Sequence, residues 1–295
     1  MSVSHPDYLR RFQDCADAAA SQVIRSYSTS FGLSSQLLAP AVRRDIHNLY
    51  AVVRIADEIV DGTATVAGMS PAEIRTELDR YEAAVLAAPE RGFHTDPVLH
   101  AYAATARRCD FQREHMAAFF ASMRQDLDRS EHTPESLARY IYGSAEVIGL
   151  MCVQIFLTGR EVSAADRDTM ERGARSLGAA FQKINFLRDL SEDSASLGRA
   201  YLGELTEESK AALIAEIRED LQVSYASIPL LPTSSALAVR SATNLFSSLS
   251  DELEQVPAEQ LYRQRLRLSP ARKAGIIARS LAQGALHRKG PHVSH

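Results

Sequence analysis

The chain predicts an all-α fold on three observations. Alanine and leucine are abundant, β-branched runs are few, and apolar residues recur at helical spacing along almost all of its 295 residues. Hydrophobic residues make up 45% of the chain while glycine (14) and proline (11) are scarce, the balance of a packed protein rather than a disordered one. Helical patterns run over roughly 8–29, 39–61, 71–88, 96–107, 111–127, 135–158, 164–192, 207–227, 234–254 and 270–286.

Each break falls on turn chemistry. Ala39-Pro40, Asp61-Gly62, Ser70-Pro71, Pro89 with Gly92, Thr133-Pro134, Gly198, Pro229 with Pro232, and Pro257 separate the patterns. Ser70 and Thr133 each stand as an N-cap before a proline at the first helical position. No period of 20–50 residues repeats, strand alternation is not sustained, and no linker interrupts the chain. The expectation is one all-α domain over 1–295, with its core at about 20–285 and a polar tail at 287–295.

Composition narrows the function. A net charge of −4 gives no reason to expect a nucleic-acid partner. Cys15, Cys109 and Cys152 form neither a disulfide framework nor a CxxC pattern, which suits a reducing cytoplasm. The N-terminus lacks the apolar core of a signal peptide, and no run of 18 apolar residues is expected to span a bilayer, so a cytoplasmic protein, at most peripheral to a membrane, is expected. From Gln260 onward there is no Asp or Glu, but there are Arg263, Arg265, Arg267, Arg272, Lys273 and Arg279, with Ile276, Ile277 and Leu281 among them. Such a helix either lies on an anionic membrane or docks on the protein with a solvated outer face. The oligomeric state is not legible.

Two acidic clusters carry the chemistry. Asp57 and Asp61 lie four residues apart, as do Asp189 and Asp193, so each pair shares one helix face at about 6 Å separation. With 37 Asp and Glu in the chain, chance alone makes several such pairs; the surroundings distinguish these two. Tyr50, Arg54, Asp57 and Asp61 form one stripe on a helix that is otherwise apolar. Gln182, Asn185, Asp189 and Asp193 form a second, with Lys183 and Arg188 beside it. Carboxylates on buried helices need cations. Oxygen ligands without His or Cys point to Mg²⁺, and the arginines suit an anion bridged by that metal, as in a metal-held diphosphate. The chain contains no Glu-x-x-His, GxSxG, Walker loop or GxGxxG, and most of the nine histidines are expected at the surface.

Five blocks in order resemble the squalene and phytoene synthases: Ser28-Thr29-Ser30-Phe31; Tyr50 through Asp61; Tyr140 through Gly149; Gln182-x-x-Asn185-x-x-Arg188-Asp189-x-x-x-Asp193; and Gly198-Arg199-Ala200-Tyr201. The wording is most similar to the bacterial phytoene synthases. The resemblance implies an all-α isoprenoid synthase (terpenoid synthase) helical bundle around a central apolar cavity. It implies that Asp57, Asp61, Asp189 and Asp193 hold two or three Mg²⁺ ions together with substrate diphosphate. It further implies that Arg54, Arg188 and Arg199 contact diphosphate, that Tyr50, Gln182 and Asn185 line the polar mouth, that Ser30 and Phe31 belong to a flap, and that Tyr140 lies near the reacting carbons.

The implied reaction ionises one prenyl diphosphate and lets a second chain attack the cation, through a cyclopropyl intermediate. The leading expectation is the joining of two geranylgeranyl diphosphates to phytoene, in carotenoid biosynthesis. The alternatives are transfer of a shorter prenyl cation to a second acceptor, such as an aromatic secondary metabolite, and a non-catalytic helical scaffold. Gly143, Ser144, Ala145 and Gly149 either leave room for chains or let helices approach closely. Four features depart from the family pattern: Gln125, Gln36, Gly32 and the Leu202-Gly203 pair. Each is expected to bear on the cavity.

Overall fold

The computed structural model describes residues 5–128, 132–192 and 201–287, and these form helices joined by turns. The first half comprises α1 (His5–Tyr27), α2 (Thr29–Ser35), α3 (Pro40–Val60), α4 (Thr63–Val66), α5 (Pro71–Ala87), α6 (Pro97–Cys109) and α7 (Arg113–Asp128). The second comprises α8 (Pro134–Ile141), α9 (Val147–Leu157), α10 (Ala164–Glu192), α11 (Glu207–Ser227), α12 (Thr233–Gln255), α13 (Ala258–Leu261) and α14 (Pro270–His287).

The sequence punctuation sets most starts. Ser70 and Glu73 close a reciprocal capping box, with Ser70 N–H donating to Glu73 at 2.8 Å, and proline follows the cap. Asp96 accepts from Leu99 N–H at 3.1 Å to open α6, and Thr133 accepts from Ser136 N–H at 3.3 Å to open α8. Gly62 takes φ 106°, a left-handed conformation that turns the chain out of α3 and into α4.

Three expectations need correction. The helix expected over 8–29 stops at Tyr27, because the Ser28 side chain accepts from Phe31 N–H at 3.1 Å and starts α2 instead. The helix expected over 135–158 contains a π-turn at Tyr142–Glu146 between α8 and α9. That turn disturbs the carbonyl ladder, and Ser122 Oγ donates to Tyr140 O at 3.1 Å beside it. The short helices α4 and α13 had no periodic signal to reveal them.

Two cores result. One gathers around α3, where Ala51 and Val52 meet Phe119, Phe120 and Met151; the other joins α10, α11 and α12 through Ile184, Leu187, Ile214 and Leu245. Burying each large side chain contributes roughly 1.5–3 kcal/mol. Small residues bring the α8–α9 segment close to its neighbours. A Cβ on Gly143 would stand 2.2 Å from Ser122 Oγ, and one on Gly149 would stand 2.4 Å from Ala174 O. Gly143 is therefore a contact glycine, whereas Ser144, Ala145 and Gly149 also line the central cavity.

Two further corrections follow. Residues 134–157 are long and apolar enough to cross a bilayer by composition, contrary to the sequence expectation; half of that stretch is buried inside the protein, against α7 and α10. His47, His94 and His100 are buried rather than at the surface. The basic C-terminal segment docks, with α14 packed on α12.

Candidate active site

A cavity of about 890 Å³ lies between the two cores, at the upper end of the range of roughly 300–1,000 Å³ usual for small-molecule sites. Its lining includes every described residue singled out from sequence: Ser30, Phe31, Tyr50, Arg54, Asp57, Asp61, Tyr140, Gln182, Asn185, Arg188 and Asp189. Asp193 and Arg199 lie outside the described residues. Along α10 the lining runs from Asp189 to Met170, nineteen residues, so this wall is about 28 Å long. Polar groups gather at the aspartate end. Farther along, Gly173, Leu177 and Phe181 from α10 and Val153 and Phe156 from α9 make an apolar channel.

On the α3 side, Asp57 stands in the last helical turn and Asp61 is the C-cap. Carboxylates there meet the negative end of the helix dipole, which opposes them. Burial and the neighbouring Asp61 push the Asp57 carboxyl well above the usual range, against the pull of Arg54. The Asp57 side chain keeps 27% of its accessibility and lines the cavity. Arg54 divides itself: it sits 3.8 Å from Asp57, pairs closely with Glu58, and stacks 4.5 Å over the Tyr27 ring. Burial raises the Tyr50 phenol to about 12, so it stays protonated.

The α10 side is the reverse. Asp189 is held by Arg188 Nε at 2.8 Å and by Arg265 Nε at 2.6 Å. Arg267 and Lys273 line the same mouth, and burial together with Arg188 and Arg267 lowers the Lys273 ammonium below its ordinary value. Cations here crowd one another, a setting that receives an anion. The Asn185 side-chain oxygen is buried with no partner among the described residues. Lys183 does not join the site; it pairs with Glu216 and Asp220 on α11 at 2.9 Å.

Helix α2 packs against the cavity wall. Phe31 on α2 packs 5.6 Å from Phe181 and 5.3 Å from Phe246, whose rings stack at 3.9 Å. Thr29 Oγ accepts from Lys273 Nζ at 2.6 Å, tying α2 to α14. At its other end, Ser35 Oγ donates to Gly32 O at 2.9 Å and so accepts from His47 Nε2–H at 3.0 Å, leaving His47 Nδ1 to accept from Ser21 at 3.0 Å. Burial, Arg43 and Arg25 lower His47 to about 4, so it is neutral near pH 7.

Sequence reasoning missed Arg265, Arg267, Lys273 and Asp126 as cavity residues. The three cations were visible as a basic segment, but the direction they face depends on how α14 docks. The four departures from the family pattern, Gln125, Gln36, Gly32 and the Leu202-Gly203 pair, are absent from the lining, although each stands beside a residue that lines it.

The fold and the two-sided charged mouth define a helical synthase of the isoprenoid class. The squalene/phytoene synthase family profile matches residues 24–206, and the chain belongs to that family. It is a prenyltransferase of the head-to-head type. It is 28% identical to a 15-cis-phytoene synthase of Paracoccus sp. over 90% of this chain and 93% of that one. Identity is 26% to a 15-cis-phytoene synthase of Enterobacter agglomerans, over 90% and 95%. Among solved structures, a dehydrosqualene synthase in complex with ligand superposes with TM-score 0.76 at 21% identity, covering 93% of this chain and 98% of that one. A squalene synthase from Alicyclobacillus acidocaldarius superposes with TM-score 0.69 at 18% identity, covering 85% and 95%.

Proposed function

We propose that this chain is a Mg²⁺-dependent phytoene synthase that joins two geranylgeranyl diphosphates through a cyclopropyl diphosphate and releases two diphosphates. One observation carries the reading: a mouth with carboxylates on one side and cations on the other opens into an apolar channel, and mouth and channel together run about 28 Å along α10. That length suits extended chains of four isoprene units. The identity to bacterial phytoene synthases over nearly the whole chain supports the same substrate.

The donor set fits magnesium. Asp57, Asp61 and Asp189 offer hard oxygens, and the unpartnered Asn185 oxygen offers a neutral one. Among the described residues no three such groups already converge on one point, which suits a metal that arrives with its diphosphate. Bound magnesium would stabilise charge on the departing diphosphate.

The protein's own residues do the rest. Arg188, Arg265, Arg267 and Lys273 take the phosphate oxygens, and Arg54 serves the α3 side. Gln182 and Tyr50 orient the headgroup at the polar mouth. Phe31, with Ser30 beside it on α2, excludes water that would quench the cation to an alcohol. Tyr140 faces the reacting carbons. Asp193 and Arg199 take their metal and diphosphate roles from the family resemblance alone.

Incubation of the purified protein with Mg²⁺ and geranylgeranyl diphosphate should yield a C40 hydrocarbon. Absence of that product, together with alkylation of an aromatic acceptor by a shorter prenyl diphosphate, would overturn this reading in favour of the other acceptor.

A further inference from the structure

A fourth carboxylate in the cavity has no part in holding diphosphate as described above. Asp126, on α7, accepts from the Tyr140 hydroxyl at 3.0 Å on Oδ2 and from the Tyr201 hydroxyl at 2.6 Å on Oδ1. The three residues come from separate stretches of the chain, and all three line the cavity. The rings around them are tightly fixed. Tyr140 and Tyr201 lie 5.0 Å apart, Phe186 stacks on Tyr201 at 4.6 Å, and His132 stacks on Tyr201 and stands edge-on to Tyr140, each at 5.4 Å.

A phenol has one hydrogen and two lone pairs. With both hydrogens committed to one carboxylate, the 3.3 Å contact between the two hydroxyl oxygens needs no further donor. Toward the cavity each tyrosine then presents an electron-rich oxygen and a ring face, with no proton to give. Asp126 also adds negative charge to the wall that already holds Asp57 and Asp61, near enough to raise the Asp57 carboxyl further. As a mere tie between helices a half-buried carboxylate is an expensive choice, since a neutral acceptor would hold the same two hydroxyls at a lower desolvation cost. For an anionic diphosphate the location is unfavourable. For a positively charged carbon it is favourable, because fixed dipoles and π-faces stabilise a cation without having to reorganise.

We propose that Asp126 is a positioning residue for the carbocation steps. It clamps the Tyr140 and Tyr201 hydroxyls as acceptors only, so that the cation collapses toward hydrocarbon rather than toward water. No covalent step passes through it; the carbon–oxygen bond breaks with its electron pair leaving on diphosphate, as in the reaction already described. The inference rests on the prenyl-cation reading of the site.

The test compares wild type with Asp126→Asn and Tyr201→Phe, using the full chain, Mg²⁺ and geranylgeranyl diphosphate. Diphosphate release and hydrocarbon are quantified separately, with thermal melts to verify folding. Coupled turnover releases two diphosphates per hydrocarbon. For Asp126→Asn the KM and the Mg²⁺ requirement should stay within about two-fold of wild type, while hydrocarbon falls about ten-fold or more and the diphosphate-to-hydrocarbon ratio rises about five-fold. The missing chains should appear as prenyl alcohol or cyclopropyl diphosphate. Tyr201→Phe should shift the ratio the same way but less, and should add little in the Asp126→Asn background.

A ratio that stays at two while turnover falls overturns the proposal and leaves Asp126 a structural residue. A raised KM or Mg²⁺ requirement with unchanged products also overturns it, in favour of a metal or diphosphate ligand. If wild type itself makes no hydrocarbon and releases no diphosphate, the prenyl-cation reading fails and the proposal falls with it.

Discussion

Helix α3 brings Asp57 and Asp61 to the cavity and helix α10 brings Asp189, each with an arginine nearby, yet the two sides reach it in opposite electrical states. On α3, Asp57 and Asp61 share one divided arginine, and Asp126 adds a further negative charge. On α10, Asp189 is clasped between Arg188 and Arg265, with Arg267 and Lys273 beside them. Among the described residues, carboxylates outnumber cations on one side of the mouth and cations outnumber carboxylates on the other. A metal–diphosphate pair placed across such a mouth answers both deficits at once, which neither helix could arrange alone.

The largest expected effect would show both sides to be necessary. Asp57→Asn and Asp189→Asn should each lower kcat/KM by about 10³-fold, with the melts showing intact protein. A loss confined to one variant would break the symmetry of function that the two motifs suggest. Next comes the latch that holds α2 over the α3 side. His47 titrates near 4 when folded and near 6.5 when unfolded, so the unfolded chain binds the extra proton between those values. Its contribution is complete above pH 6.5 and is lost as pH falls toward 4, about 3 kcal/mol in all. Urea titrations across that window should show the slope, and His47→Gln should flatten it.

A smaller effect separates the basic side. Arg265→Ala should raise the KM for geranylgeranyl diphosphate by about ten- to thirty-fold, the worth of one charge-assisted hydrogen bond, in steady-state assays. The smallest effect sharpens the contrast most, because its sign differs between the sides. In the metal-free protein, Asp57→Asn should stabilise the fold by about 1 kcal/mol by relieving repulsion, whereas Asp189→Asn should destabilise it by about 1 kcal/mol by removing the carboxylate that Arg188 and Arg265 both grip. Equal signs in urea unfolding would contradict the electrical asymmetry described above.

Much of this was legible in the sequence because the period of a helix is local. Stripes such as Tyr50–Arg54–Asp57–Asp61 follow from the 3.6-residue turn, and the caps at Ser70 and Thr133 follow from side chains reaching their own backbone. What stayed hidden depends on tertiary contact. The π-turn at Tyr142–Glu146 obeys no residue pattern and arises where Gly143 meets α7. Lys183 looks equivalent to Arg188 on paper, but a partner on α11 draws it away. Asp126 could be noticed only as a neighbour of Gln125 until Tyr140 and Tyr201 were brought to it from elsewhere in the chain.

The hydrogen bond from Lys273 to Thr29 joins residues 244 positions apart and closes the mouth. During synthesis the carboxylate wall of α3 is complete long before Arg265, Arg267 and Lys273 emerge from the ribosome. Until they do, the cavity's cations are Arg54 and Arg188 alone among the described lining residues. The basic segment therefore completes the cationic side of the mouth only after both aspartate-bearing helices have been made, and a chain halted short of residue 265 would lack three of its cations.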